Sequence, residues 1–257
     1  MSLPSKKAIK VDEHTTDYEY KMLNHDMALR YKDDACVECG FCHRVCPTTF
    51  NLEGEPIKKT AIGKPEDLDI DSDQKIVVDL DKCIWCGLCS YICPGYALEL
   101  RINNEPKLLL VENGSLPEFK EEKRSLEDGN EVRKVVQGSI TIKSEEKDKE
   151  ILEQFAEECS VNALSVEDGE IEVDRDKCIL CYKCSEAAEE YDNIEVTVHR
   201  DRFMEVEGEP GSVWNGLLER VLGIKGKIEG IKSYRQNKLV DSMMRLLGQK
   251  ESTEEKS

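Results

Sequence analysis

Eleven of the twelve cysteines in this 257-residue chain fall in three tight groups, and their spacing limits what it can fold into. Two stretches, CVECGFCHRVCP from Cys36 and CIWCGLCSYICP from Cys83, read C-x2-C-x2-C-x3-C-P. That spacing belongs to iron–sulfur ligation, with the last cysteine of each run serving the other cluster of a pair. Three cysteines three residues apart on one tight loop reach three corners of a cubane. The fourth corner needs a thiolate from a separate segment. The expected ligand sets are therefore crossed: Cys36, Cys39 and Cys42 with Cys93, and Cys83, Cys86 and Cys89 with Cys46. Gly40 and Gly87, each directly after the second cysteine of its loop, ease the turn and let backbone N–H groups approach cluster sulfur. The prolines after Cys46 and Cys93 end the short helices that carry those cysteines. Zinc is the alternative, but its four-cysteine sites draw on separated C-x2-C pairs.

The third stretch, CILCYKCSEAA from Cys178, has Ala188 where the other two have their fourth cysteine. The remaining cysteine, Cys159, lies upstream in EECSVNALSVEDGEIEVDRDKCILCYKC. DRDKC before this run matches DLDKC before the second, so a second module of the same kind is expected, without the first three cysteines of its opening run. In their place stands KSEEKDKEILEQFAEE, a charged lead into a helix with Ile151, Leu152 and Phe155 on its buried face. With crossed ligation, a module losing one cluster loses that cluster's four ligands together. The three opening cysteines and the residue at Ala188 are that set. Cys159, Cys178, Cys181 and Cys184 remain as a complete one. Ser160 in place of proline and Tyr182 in place of glycine leave a [3Fe-4S] cluster or zinc open beside a third [4Fe-4S] cluster.

Composition narrows the setting. A secretory apolar stretch is missing from the opening MSLPSKK, and the longest aliphatic string is Leu108 to Val111, so cysteines read as metal ligands rather than disulfides and the expected location is cytoplasmic. The net charge of −18, concentrated in residues 105–200, argues against binding a nucleic-acid backbone. No nucleotide loop, Ser/His/Asp arrangement or Gly-rich cofactor fingerprint is present, which favours a non-catalytic electron-transfer subunit of an oxidoreductase complex.

Around the first two runs, MALRYKDDAC and KIVVDLDKC offer entering strands and YALELRI a closing one, with NLEGEPIKKTAIGKPEDLDIDSDQ between them as surface loop. Residues 27–104 thus resemble the two-cluster ferredoxin family. The resemblance implies a pseudo-twofold β-α-β repeat and one-electron transfer. The runs ALRYKDDACVECGFCHRVCPT, DLDKCIWCGLCSYICP and DRDKCILCYKC further resemble archaeal polyferredoxins, in particular the polyferredoxin subunit of formylmethanofuran dehydrogenase. That resemblance implies low-potential electrons delivered to a molybdenum or tungsten enzyme; flavin or hydrogenase-type redox subunits are the other partner classes. The chain departs from it in carrying fewer clusters and in its helical tail.

The expected architecture is α+β. It comprises an N-terminal extension (1–26), a two-cluster ferredoxin module (27–104), a charged linker (105–138), a degenerate one-cluster module (139–200) and a C-terminal amphipathic helical tail (201–257). In the tail, Val213, Trp214, Leu217, Leu218, Val221 and Leu222 share one helical face, and a second, basic helix is expected at about 227–247. Docking on another subunit is the leading reading of this tail, ahead of packing on its own modules and of membrane contact. Trp85 and Tyr182, inside their cysteine loops, either shield clusters from solvent or simply pack over a small core, and packing is favoured. A structural or sensing protein, in which clusters staple small domains of a larger assembly, is the alternative to a relay.

Overall fold

The structure, a computed structural model, describes residues 4–47, 60–120, 123–126, 129–207 and 213–223. It is a mixed α/β chain in which one order of pairings occurs twice. The strand Asp26–Lys32 runs into the first cysteine loop and pairs antiparallel with Leu98–Ile102, setting Leu29 opposite Leu100 and Tyr31 opposite Leu98. Alternation turns these four side chains to one face, and all are buried. Between them lie the helices Phe41–Val45 and Leu88–Ile92 and a short hairpin of Ile62–Gly63 with Val77–Val78. Each helix stops at the cysteine that precedes proline, because a residue before proline is pushed out of the helical region; ψ is 121° at Cys46 and 116° at Cys93.

Downstream, Val136–Ser144 pairs antiparallel with Ile194–Phe203, and Leu164–Glu167 pairs with Glu170–Val173. The helix Lys149–Glu157 precedes this inner hairpin and Lys183–Ala187 follows it. Asp148 caps the first of these, its carboxylate accepting the Glu150 N–H, and Leu152 and Phe155 are fully buried as the spacing predicts. Ile151 is only half-buried. Gly138 sits at a bulge in the outer pair, where a Cβ would lie 1.9 Å from the His199 carbonyl oxygen, so no other residue fits.

Three segments differ from their expected roles. The N-terminal extension supplies Ser5–Lys10 and Thr15–Lys21, which add to Asp26–Lys32 and complete a five-stranded sheet with Leu98–Ile102 and Glu105–Pro106. A bidentate Arg30–Asp17 pair, 2.8 and 2.7 Å, ties the added strand to its neighbour. The loop between the first two cysteine runs is not all surface: Ala61, Ile62 and Leu68 are buried, and Pro65–Leu68 is helical. Residues 105–138 carry the short strands Glu118–Phe119, Lys123–Ser125 and Glu131–Arg133, with Leu116, Phe119, Val132, Val135 and Val136 in the core.

The tail requires a correction. Helical residues 213–223 lay Trp214, Leu217, Leu218 and Val221 into the chain's own core. Trp214 stands 4.9 Å from the Phe203 ring and 6.4 Å from Phe119. Its apolar face finds an aromatic cluster within the chain, so this helix is spent on self-packing. The second expected tail helix lies outside the described residues. Trp214→Ala should therefore cost the isolated chain about 3–5 kcal/mol, as for other buried tryptophans. Chemical unfolding of the isolated protein checks this, and an unchanged midpoint would return the helix to a docking role.

Candidate metal centres

All three cysteine loops bend in the same way. The residue before the second cysteine has positive φ in each: Glu38 at 51°, Trp85 at 50° and Leu180 at 55°. The residue after it does too: Gly40 at 65°, Gly87 at 77° and Tyr182 at 75°. Left-handed conformations cost a non-glycine residue roughly 1–2 kcal/mol, so a repeated pattern needs a repeated cause. The cause is at sulfur. These turns aim backbone N–H groups at thiols two residues back: Glu38 at Cys36, Phe41 at Cys39, Trp85 at Cys83, Leu88 at Cys86, Leu180 at Cys178 and Lys183 at Cys181.

The distal cysteines are held differently. Cys93 accepts from the N–H groups of Leu98, Ala97 and Gly95. Cys159 accepts from Ala163, four residues on as Ala97 is from Cys93, at 3.3 Å. Cys46, Cys83, Cys86 and Cys89 line one pocket, walled by Leu29, Ile62 and Trp85. Cys159, Cys178, Cys181 and Cys184 line a second, walled by Ile140, Ile179 and Val198. Cys93 is an electrostatic neighbour of Cys36, Cys39 and Cys42, and Cys42 also feels Cys89, so these cysteines adjoin those of the first pocket.

Burial pushes up the thiols of Cys36, Cys39, Cys42, Cys86, Cys89, Cys93 and Cys178, and takes Cys83 and Cys181 to about 11 and Cys184 to about 12. Thiolates would not persist in such cavities without a cationic centre to offset desolvation. Four sulfur donors around an apolar cavity fit an iron–sulfur group. Among the described residues, no three His, Cys, Asp or Glu side chains are grouped as for a single metal ion.

Trp85 is buried, donates its indole N–H to the Tyr18 carbonyl at 3.0 Å, and has the Lys6 ammonium 5.3 Å from its ring. The N-terminal hairpin thereby covers the Cys83 loop. Tyr182, where the other loops have glycine, holds its left-handed turn under two guanidinium groups, Arg200 at 4.2 Å and Arg44 at 5.3 Å. Tyr182→Gly would relieve roughly 1 kcal/mol of backbone cost. It would also forfeit a buried cation–π contact with Arg200 worth about 2 kcal/mol and a solvent-exposed one with Arg44 worth about 0.5–1 kcal/mol. Net destabilisation of about 1–2 kcal/mol is therefore expected in chemical unfolding; stabilisation would mean the ring contributes nothing.

Sequence reasoning did not reach several neighbours of the cysteines. The Tyr31 hydroxyl donates to Asp33 at 2.9 Å and stands at the Cys36 sulfur, while Lys75 holds the Cys36 carbonyl at 3.0 Å. Arg200, in phase with the inward Ile194 and Val198 on its strand, is buried between cysteine loops.

Residues 28–94 match the family model described as a 4Fe-4S dicluster domain. At the level of fold, the chain is similar to a chain of the "Formate dehydrogenase - heterodisulfide reductase - formylmethanofuran dehydrogenase complex from Methanospirillum hungatei". That likeness has a TM-score of 0.63 at 20% identity and covers 86% of this chain and 92% of the other. Among curated proteins, none matches the chain.

Proposed function

We propose that the chain is a three-site iron–sulfur electron-transfer subunit, built from two tandem ferredoxin-like modules and serving a larger redox enzyme. The ligand sets are Cys36, Cys39, Cys42 and Cys93; Cys83, Cys86, Cys89 and Cys46; and Cys159, Cys178, Cys181 and Cys184. Bound [4Fe-4S] clusters would accept and donate single electrons with little reorganisation. The donor spread at Cys159 favours such a cluster over a lone zinc ion.

The observation that carries the relay reading is where the two halves of the chain touch. The first cysteine loop is itself the contact surface. The Ser160 hydroxyl donates to the Val37 carbonyl at 2.8 Å, Lys183 reaches Glu38 at 3.4 Å, and Arg220 donates to the Val45 carbonyl at 3.0 Å. Cys181 is among the charges felt by Cys39. A protein using metal only to staple two separate cores has no reason to dock them cysteine loop against cysteine loop.

The remaining features support a subunit that works within an assembly. The acidic body disfavours nucleic acid, and among the described residues no helix is long and apolar enough to cross a membrane. A cytoplasmic, archaeal redox complex with a molybdenum or tungsten, flavin or hydrogenase-type partner fits the sequence resemblance and the fold likeness. Any partner dock in the tail would belong to residues beyond 223. Anaerobic affinity purification from the native organism, with co-purifying proteins identified by mass spectrometry, tests this. Stoichiometric redox subunits are expected. Polymerase or ribosomal partners would instead favour the stapling alternative, and the chain alone would mean a free carrier.

A further inference from the structure

Arg200 lies on the inward face of Ile194–Phe203, where its neighbours in phase are Ile194 and Val198, and it is only 4% exposed. Its guanidinium carbon is 4.2 Å from the ring centroids of both Phe41 and Tyr182. Phe41 belongs to the first cysteine loop and Tyr182 directly follows Cys181 in the third. Nε donates to the Leu180 carbonyl at 2.8 Å and Nη1 to the Val221 carbonyl at 3.4 Å. Nη2 is buried and has no hydrogen-bond partner among the described residues. Cys39 on one side and Cys181 on the other are both among the groups acting on its charge.

A buried cation is costly, and two carbonyls and two π faces leave the whole Nη2 amino group unused. An aliphatic residue would fill the position more cheaply if packing were its whole role. Thiolate-bound iron–sulfur groups are anionic, and reduction adds one further negative charge. In a low-dielectric interior a fixed cation beside them favours the reduced state. We propose that Arg200 is a tuning residue shared by the Cys36/Cys39/Cys42/Cys93 and Cys159/Cys178/Cys181/Cys184 sites, its charge favouring reduction at both. One electron arrives from a redox partner and one leaves to an acceptor; no bond in the protein forms or breaks. This inference rests on the three-site reading above.

The test uses the full-length chain with its iron–sulfur complement, as wild type, Arg200→Gln and Arg200→Lys. Iron, sulfide and unfolding are measured first, then an anaerobic redox titration is followed by low-temperature EPR. At a fixed reductant poise, Arg200→Gln should lower the reduced-to-oxidised ratio about tenfold or more at the two flanking sites. The Cys46/Cys83/Cys86/Cys89 site should stay unchanged, and Arg200→Lys, which keeps the charge, should recover most of the ratio. If both variants lose stability while every midpoint stays put, Arg200 is a packing residue and the inference fails alone. Equal shifts at all three sites would also overturn it, as would Arg200→Lys failing to recover the ratio. A wild-type chain holding fewer than three clusters would instead overturn the relay reading beneath it.

Discussion

Cys159→Ser is expected to remove or convert one cluster and leave the other two untouched. The prediction follows from position as well as count. Cys159 shares its cavity with Cys178, Cys181 and Cys184 and takes the Ala163 N–H at 3.3 Å. Cys93 is held by Ala97 at the same spacing. A serine oxygen is a harder, shorter donor than sulfur, poorly suited to the fourth corner of an iron–sulfur core. The other two proposed ligand sets draw on cysteines between Cys36 and Cys93, and neither includes Cys159. Iron and sulfide analysis with low-temperature EPR would read the change as the loss of one signal, or its conversion to a three-iron form. Three unchanged signals would place the fourth ligand elsewhere.

Stripping iron under anaerobic, reducing conditions is expected to abolish cooperative unfolding of the chain. The cysteine loops decide the matter. Each holds two residues of positive φ: Glu38 and Gly40, Trp85 and Gly87, Leu180 and Tyr182. Bound iron would tie the sulfurs of these loops to cysteines from separate segments, and binding at such a site is folding free energy, on the order of 10 kcal/mol for structural zinc. Total stabilities of about 5–15 kcal/mol leave little above such a loss. The surrounding core offers no compensation, because the residues that would have to collapse inward, such as Leu29, Ile62 and Trp85, already belong to sheet and loop positions fixed elsewhere. Circular dichroism melts before and after chelation would show a broad or absent transition in the stripped protein. An unshifted, sharp melt would mean that metal plays no part in holding the fold.

What was legible in the sequence follows the physics that left a periodic trace. Ligand spacing in the cysteine runs anticipates the three turns, since sulfur geometry restricts loop length. Phe155 and Leu152 were readable from helical spacing, and Leu98 and Leu100 from strand alternation. The N-terminal strand Ser5–Lys10 left no such trace: SKKAIK is almost wholly exposed, and pairing with Thr15–Lys21 defines it. Glu38, Trp85 and Leu180 share a left-handed backbone but no chemical character, so residue type could not announce them. Their cause is the backbone N–H that each supplies to a cysteine two residues earlier. Arg200 did leave a signal, since a period of two from Ile194 and Val198 places it inward; its charge argued the other way. In the tail, the apolar face was plain, whereas the surface that receives it, formed by Phe119 and Phe203, came from separate parts of the chain.

The most direct measurement is an anaerobic reductive titration of the intact chain, followed by EPR and by iron and sulfide content. Three iron–sulfur centres, each taking up one electron reversibly at low potential, are the expected result. Centres that cannot be reduced, or that are lost on the first reduction and do not return on reoxidation, would contradict a relay and leave the clusters as staples.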